Sequence, residues 1–388
     1  MSINFADYFV PVSLKKPEIT YLPGSKTFSS SITVHTPSQA IGDISTYDAA
    51  IIGVPEGRDT INADTAKAPD IIRSYLYQLA RVTGAKKIVD LGNFKITNHI
   101  QDSYMGLRDV LADLFSKNIV VIMLGGSHAL SCTAYLAAKF LNRKMSIAHL
   151  DAKIDMDAVV DRKPHADNHL RFILDDDTEN RIFTLSPLGY QSHFTNVEDV
   201  IALTERNFPI ARLGHLHHKI ELAEPYIRDL SQLSVDMNCV RQGDAPANKR
   251  PSPNGFSGEE VCQMSKYAGM GDAMQFFGIF EANPTFDNNN QTMHLAAQMV
   301  WHFIDGMAQR FNEKNDMSSF EKIIVDNTAV PGNNIIFYKS PLTHRWWMEI
   351  PGQTSKFIIA CSTDDYETAC QNEIPDRWWV YYKNINKM

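Results

Sequence analysis

Short apolar runs bounded by turn residues recur through the first 330 residues, separated by stretches of helical periodicity. Ala49–Val54, Lys87–Leu91, Ile119–Leu124, Met145–Leu150, Gln232–Val235 and Phe276–Phe280 are the clearest of them. Runs this short, apolar on both faces and rich in Ile and Val, predict strands buried on both sides, as in a parallel sheet. Between them, Pro69–Leu79, Leu107–Phe115, Ala129–Leu141, Gly258–Tyr267 and His294–Phe311 place apolar residues at helical spacing, the first with Pro in its opening turn. This alternation predicts an α/β fold: a doubly wound, mainly parallel sheet in three layers, with helices on both faces. Ligands in such folds gather at the carboxyl ends of the strands. Polar residues that directly follow the apolar runs are therefore the first functional candidates.

From Pro331 the pattern changes. Strand-like runs (NIIFYKS, RWWMEI, KFIIACS) precede a short acidic helical piece and a final IPDRWWVYYK. Four of the five tryptophans fall here, as Trp346, Trp347, Trp378 and Trp379. The expected organisation is an α/β domain over 1–330, with 1–47 as a leader segment packed on it, and a β-rich aromatic extension over 331–388. The four tryptophans are expected to be buried against the main domain or another subunit. Two Arg-Trp-Trp units also make them a candidate interaction surface, since Trp and Arg favour interface centres.

Composition narrows the class. With 37 basic against 45 acidic residues the net charge is −8, which argues against a nucleic-acid partner. No run of 18 apolar residues exists, so a membrane-spanning helix is not expected. The first residues lack a basic stretch followed by an apolar one, and the five cysteines are dispersed and odd in number. Both features suit a cytoplasmic protein with reduced thiols.

Three strand ends carry the chemistry. Gly125-Gly126-Ser127-His128 follows Ile119–Leu124. Asp151-Ala152-Lys153-Ile154-Asp155 follows Met145–Leu150, and Asp236-Met237-Asn238 follows Gln232–Val235. Two glycines let a strand end turn tightly into a helix. Asp151, Asp155 and Asp236 are hard oxygen donors, although a lysine sits between the first two. One His or Asp at a strand end reads as a cap; three such clusters after three buried strands point to one common site.

These residues resemble the arginase (ureohydrolase) family, whose members carry GGDH, DAHxD and SxDxD at the corresponding places. Gly53-Val54-Pro55, Ala68-Pro69 with Arg73, and Phe280-Glu281-Ala282-Asn283-Pro284 extend the match. Asn254-Gly255-Phe256, Tyr267-Ala268-Gly269 and Asp376-Arg377-Trp378-Trp379 resemble the formimidoylglutamase-like branch in bacteria. The resemblance implies an arginase-like fold and a pair of manganese ions bridged by hydroxide, which attacks a guanidinium or formimidoyl carbon. It implies one metal position at His128, Asp151, Asp155 and Asp236, all of the required type. The exclusive ligands of the other position fall on Lys153 and Asn238, which are degenerate. The aspartate of GGDH is Ser127. Glu281 corresponds to the residue that faces the substrate's cationic end, and His165 or His169 stands where a proton-shuttle histidine would lie, unless each is a solvated loop residue.

Both losses fall on one ion. Three carboxylates, one ammonium and one divalent ion sum to zero, as do the family's four carboxylates and two ions. The expectation is at most one divalent ion per chain, manganese or magnesium, or else a metal-free salt-bridge cluster. Lys153 is expected beside Asp151 and Asp236, close to the vacated position. Two functions follow: a pseudoenzyme acting as scaffold, binding or regulatory subunit, or a one-metal hydrolase of an amidine such as formimidoylglutamate, arginine, agmatine or a guanidino acid. Homo-oligomerisation or a protein partner is expected from the family, with a small amidine or amino-acid ligand. His215, His217 and His218 read as a surface loop or a capped helix start, Cys132 and Cys239 as packing near the site, and the acidic run Asp175–Glu179 as a solvated turn.

Overall fold

In the computed structural model, which describes residues 3–13, 22–39, 41–84 and 86–387, the apolar runs become the strands of a single large sheet. Its strands are β1 Phe9–Val10, β2 Thr33–Val34, β3 Ala49–Gly53, β4 Ile88–Phe94, β5 Val120–Leu124, β6 Met145–Leu150, β7 Ile182–Tyr190, β8 Ala211–Arg212, β9 Gln232–Asp236 and β10 Phe276–Phe280. The order is β1-β4-β3-β5-β10-β9-β6-β7-β8, with β2 beside β4. Of these strands only β1 runs antiparallel to its neighbour. Every residue of β3, β5, β9 and β10 is buried, as continuous apolar runs in the middle of a parallel sheet must be. The strands that precede the three polar clusters, β5, β9 and β6, lie within the contiguous set β5-β10-β9-β6. Their carboxyl ends therefore open side by side.

Helices Ala68–Leu76, Gly258–Met270 and Gln291–Ala308 pack against one another over one core. Helix Ile100–Ser116 packs on helix Cys132–Phe140, and its apolar face joins a second core. The closest helix contact runs through glycine. A Cβ on Gly269 would stand 2.0 Å from the Phe303 carbonyl oxygen, so no other residue permits that approach. Phe277 of β10 stacks on Phe303 with ring centroids 4.4 Å apart, fixing helix to sheet. The nine-residue strand β7 went unpredicted from the apolar pattern, because Thr184, Ser186 and Pro187 interrupt it. Pro187 pairs in register with His149, and β7 is shielded at its far side only by the two-residue β8.

The extension forms its own antiparallel sheet of β11 Glu321–Asp326, β12 Asn334–Lys339, β13 Trp346–Pro351 and β14 Lys356–Cys361, in that order. This sheet starts at Glu321, ahead of the boundary at 331 expected from the sequence, because charged residues at both ends of β11 mask its short apolar centre. Trp346, Trp347 and Trp378 are buried, whereas Trp379 is 37% exposed. One position along the helix Asp376–Asn386 turns its ring outward, against Tyr382. The extension is held by guanidinium groups reaching across the seam. Arg228 donates to the Trp346 carbonyl at 2.7 Å and lies over the Trp347 ring. Arg377, packed against Tyr226 and Tyr381, donates to the carbonyls of Ala360 at 2.7 Å and Pro225 at 2.5 Å. Among the described residues no helix is long and apolar enough to cross a membrane.

Buried carbonyls stripped of a charged donor are costly. Arg377→Met should lower the unfolding free energy by about 2–3 kcal/mol, measured by urea denaturation. A change below about 0.5 kcal/mol, the size of an ordinary surface substitution, would show that the guanidinium does not hold the extension.

Candidate metal centre

The site is built where four strands stop. After β5 the chain passes through Gly125 and Gly126 so close to the loop following β3 that a Cβ on Gly126 would lie 1.9 Å from the Glu56 carbonyl oxygen. Ser127 then caps a 3₁₀ turn, accepting the Ala129 N–H, and His128 opens that turn. Asp151 follows β6. Asp236 ends β9 and caps the next turn by accepting the Asn238 N–H at 2.7 Å. Glu281 follows β10 with φ +59, a left-handed backbone that a non-glycine residue adopts only when its surroundings hold it there. They do: its carboxylate accepts from Thr60 Oγ1 at 2.8 Å, Asn62 Nδ2 at 2.9 Å and the His128 N–H at 2.9 Å.

His128 Nδ1 lies 3.4 Å from Asp151 Oδ2, 3.6 Å from Asp236 Oδ2 and 3.9 Å from Asp155 Oδ2. All four residues are buried. His128 Nδ1 and Asp151 Oδ2 have no hydrogen-bond partner among the described residues. Burial pushes the Asp151 and Asp236 carboxyls well above the usual range. Burial, with the Asp151 charge beside it, raises Asp155 to about 7, and burial lowers His128 to about 4. Three carboxylates and a neutral imidazole with orphaned lone pairs fit one divalent ion of the hard, oxygen-preferring kind.

Of the two places where the resemblance puts the exclusive ligands of a second ion, one holds Lys153. Its ammonium pairs with Asp155 Oδ1 at 2.9 Å and with Asp167, rather than with Asp151 and Asp236 as the sequence suggested. Asp151 instead accepts the Lys153 backbone N–H at 3.0 Å. Flanking charges hold the lysine's pKa above its ordinary value, Asp155 foremost among them, against the opposing effect of burial. Asn238 offers an amide, and its Oδ1 is buried without a partner among the described residues.

Sequence reasoning missed the groups behind His128. Its Nε2 is 2.9 Å from Ser234 Oγ, which is 2.5 Å from His149 Nδ1, which in turn is 3.3 Å from His169 Nε2. His149 and Ser234 each stand two residues before a site aspartate, on the same side of their strands. A polar residue inside an otherwise apolar run was the available signal. His169 is no solvated loop residue: it is fully buried at the start of helix His169–Asp176, with Nδ1 2.9 Å from the Ala166 carbonyl and 3.5 Å from Asp155. Burial lowers it to about 3. His165 is half-exposed and pairs with Asp167. Asp59, also missed, is buried and accepts from Tyr104 and Ser127, placing a carboxyl beside the serine where the family motif has aspartate.

Asp155 and Asp236 of the cluster line a cleft of about 250 Å³ whose walls also include Thr60, Asn62, Lys153, Asp167, Asn238, Arg250 and Glu281. Other candidates lie outside it. His215 is exposed, and His217 pairs with Glu260, which also accepts the His218 N–H and closes the capping box of helix Gly258–Met270. Cys132 and Cys239 are buried with their thiols pushed up, as packing residues are. In the acidic run, Asp177 accepts the N–H groups of Arg181 and Ile182, and Asp176 pairs with Lys139.

A divalent ion must displace the proton that Asp155 holds below pH 7. Manganese affinity should therefore rise with pH through about 7, with proton release on binding at pH 6. Calorimetry in buffers of different ionisation enthalpy measures both. Affinity independent of pH between 5.5 and 8 would show that the ion binds elsewhere.

With this geometry in view, the comparisons with known proteins agree. The Arginase family profile matches residues 47–305. A formimidoylglutamase of Lysinibacillus sphaericus is 26% identical over 302 residues, covering 73% of this chain and 94% of its own. One from Staphylococcus haemolyticus is 25% identical over 246 residues, covering 61% and 78%. Among solved structures, formimidoylglutamase from Bacillus subtilis superposes with a TM-score of 0.64 at 22% identity over 76% of this chain and 97% of its own. A Trypanosoma cruzi formiminoglutamase solved with Mn2+2 gives 0.63 at 18% identity, covering 68% and 95%. The fold, the order of the strand-end motifs and the profile match together place this chain in the arginase family.

Proposed function

We propose that the chain is a hydrolase that cleaves a C–N bond at a trigonal carbon of a small polar substrate, using one divalent ion. The observation that carries this reading is the complete ligand set of His128, Asp151, Asp155 and Asp236, converging on the floor of a polar cleft. The relatives named formimidoylglutamase make amidine-type compounds the first to test: formimidoylglutamate, arginine, agmatine and guanidino acids. The scaffold or regulatory reading rests only on the replacements at Lys153 and Asn238, and these leave the retained ligand set whole.

When bound, such an ion supplies Lewis acidity and lowers the pKa of water towards about 7. The chain's own residues supply the rest. His128 is held through Nε2 by Ser234, which keeps Nδ1 turned to the carboxylates. Glu281, fixed by its three donors, presents a carboxylate to the cleft. Lys153 provides a positive charge that a bridging pair would otherwise contribute, at the expense of a second coordination position. His169 touches Asp155 rather than the cleft wall, so it positions that ligand instead of shuttling protons to substrate.

Three outcomes are expected. Manganese-loaded protein should hold one ion per chain by elemental analysis, and Asp155→Asn should lower both ion affinity and turnover by about 100-fold or more. Lys153→His combined with Asn238→Asp should raise the count to two, and either change alone should do little. Two tight ions in the unmodified chain would contradict the one-ion account. Absence of ammonia, formamide, urea, formate and carbamate release across the amidine panel and across neutral ureido and N-formyl compounds would contradict the hydrolase reading.

A further inference from the structure

The hydrolase reading leaves the nature of the C–N group open, and the two replaced ligand positions bear on it. Lys153 and Asn238 both line the cleft. The Lys153 side chain is 31% exposed, and its ammonium pairs with Asp155 and Asp167. It donates a hydrogen bond to Asp167 and lies within ion-pair distance of Asp155, which leaves donor capacity for the cleft. An ammonium only donates. Asn238 Oδ1 is a neutral acceptor, buried and without a hydrogen-bond partner among the described residues. The pair thus offers a bound group one cationic donor and, once the Asn238 amide turns toward it, one neutral acceptor.

A guanidinium or formimidoyl cation answers this badly. It carries positive charge and N–H donors only, so Lys153 would face it with like charge and donor against donor. A ureido or N-formyl group has the same shape with a carbonyl oxygen in place of the charged nitrogen. Its C=O accepts from Lys153 and its N–H donates to Asn238 Oδ1. Arg250 at the cleft wall suits a carboxylate elsewhere on the same molecule.

Resting on the hydrolase reading, we infer that the exchange of two metal-ligand positions for Lys153 and Asn238 turned the cleft from cationic amidines to neutral N-carbamoyl or N-formyl derivatives of amino acids. In the reaction a water oxygen bonds to the carbonyl carbon and the bond from that carbon to the substituted nitrogen breaks. One water proton goes to the leaving nitrogen, and the new acid gives up the other, so an amine leaves with formate or carbamate. No oxidant or co-reactant is needed.

Isosteric pairs test this: citrulline against arginine, and N-formylglutamate against N-formimidoylglutamate, by turnover and by calorimetric binding to the manganese-loaded protein. The neutral member of at least one pair should be preferred by about 100-fold or more in kcat/KM and should bind more tightly, because a site built for a hydrogen bond rejects the analogue that cannot make it. Lys153→Met should erase most of that preference, and Lys153→His with Asn238→Asp should reverse it. If Lys153→Met fails to fold, Asn238→Asp alone serves, since an added carboxylate must favour the cation. Faster turnover or tighter binding of the cationic member overturns the inference while upholding the hydrolase reading. If neither member of either pair is hydrolysed, the hydrolase reading loses these four substrates, and the order of binding still decides the inference.

Discussion

Three carboxylates and an imidazole are packed within a few ångströms of one another at the bottom of a cleft, out of contact with bulk water. Taking one charged group out of water costs several kcal/mol even after the protein relaxes, and like charges so close raise the cost further. The chain meets this constraint in three ways. The Asp236 carboxylate accepts a turn N–H and Asp151 a backbone N–H, Lys153 lends a permanent positive charge to Asp155, and the remaining lone pairs point inward to where a cation would sit. Much of the surrounding architecture serves that placement. Parallel strands in adjacent order bring the ends together, Gly126 allows the close loop approach, and Glu281 is held in a strained backbone by three donors.

Lys153 is the pivot of the functional reading. In a two-ion site, the residue between the aspartates of this loop is a metal ligand. Here it is an ammonium clamped by Asp155 and Asp167, so its charge stays while its capacity to coordinate is gone. Asn238 makes the matching change on the next strand, an amide in place of a carboxylate. On the proposed reading charge balance is kept, the first ion position stays complete, and Lys153 and Asn238 stand beside the cleft as a cation and a neutral amide. This is a different outcome from simple decay of a site, in which losses would fall on both positions.

The sheet's central strands and the ligand set were legible because both leave strong local marks: continuous apolar runs and polar residues immediately after them. Strand β7 was not, since Pro187 and two hydroxyl residues break its pattern and its burial depends on neighbours distant in sequence. His149, Ser234 and Asp59 were missed for a related reason. Each is polar in a context that reads as core or loop, and its role appears only when β6, β9 and the loop after β3 are brought against His128. The placement of the Lys153 ammonium also turned on tertiary structure, because Asp167 arrives from a loop whose path the sequence does not specify. The extension's start at Glu321 was obscured by charge at the ends of a strand that lies at a sheet edge.

The central claim is that one divalent ion is held by His128, Asp151, Asp155 and Asp236 while the ammonium of Lys153 stays beside it. Crystals grown with manganese, with diffraction data collected above and below the manganese absorption edge, test this most directly. The account predicts a single anomalous peak per chain, about 2.0–2.4 Å from His128 Nδ1 and from one oxygen of each aspartate, with Lys153 Nζ still on Asp155 and Asp167. Two peaks a few ångströms apart, with Lys153 displaced from the cleft, would contradict it.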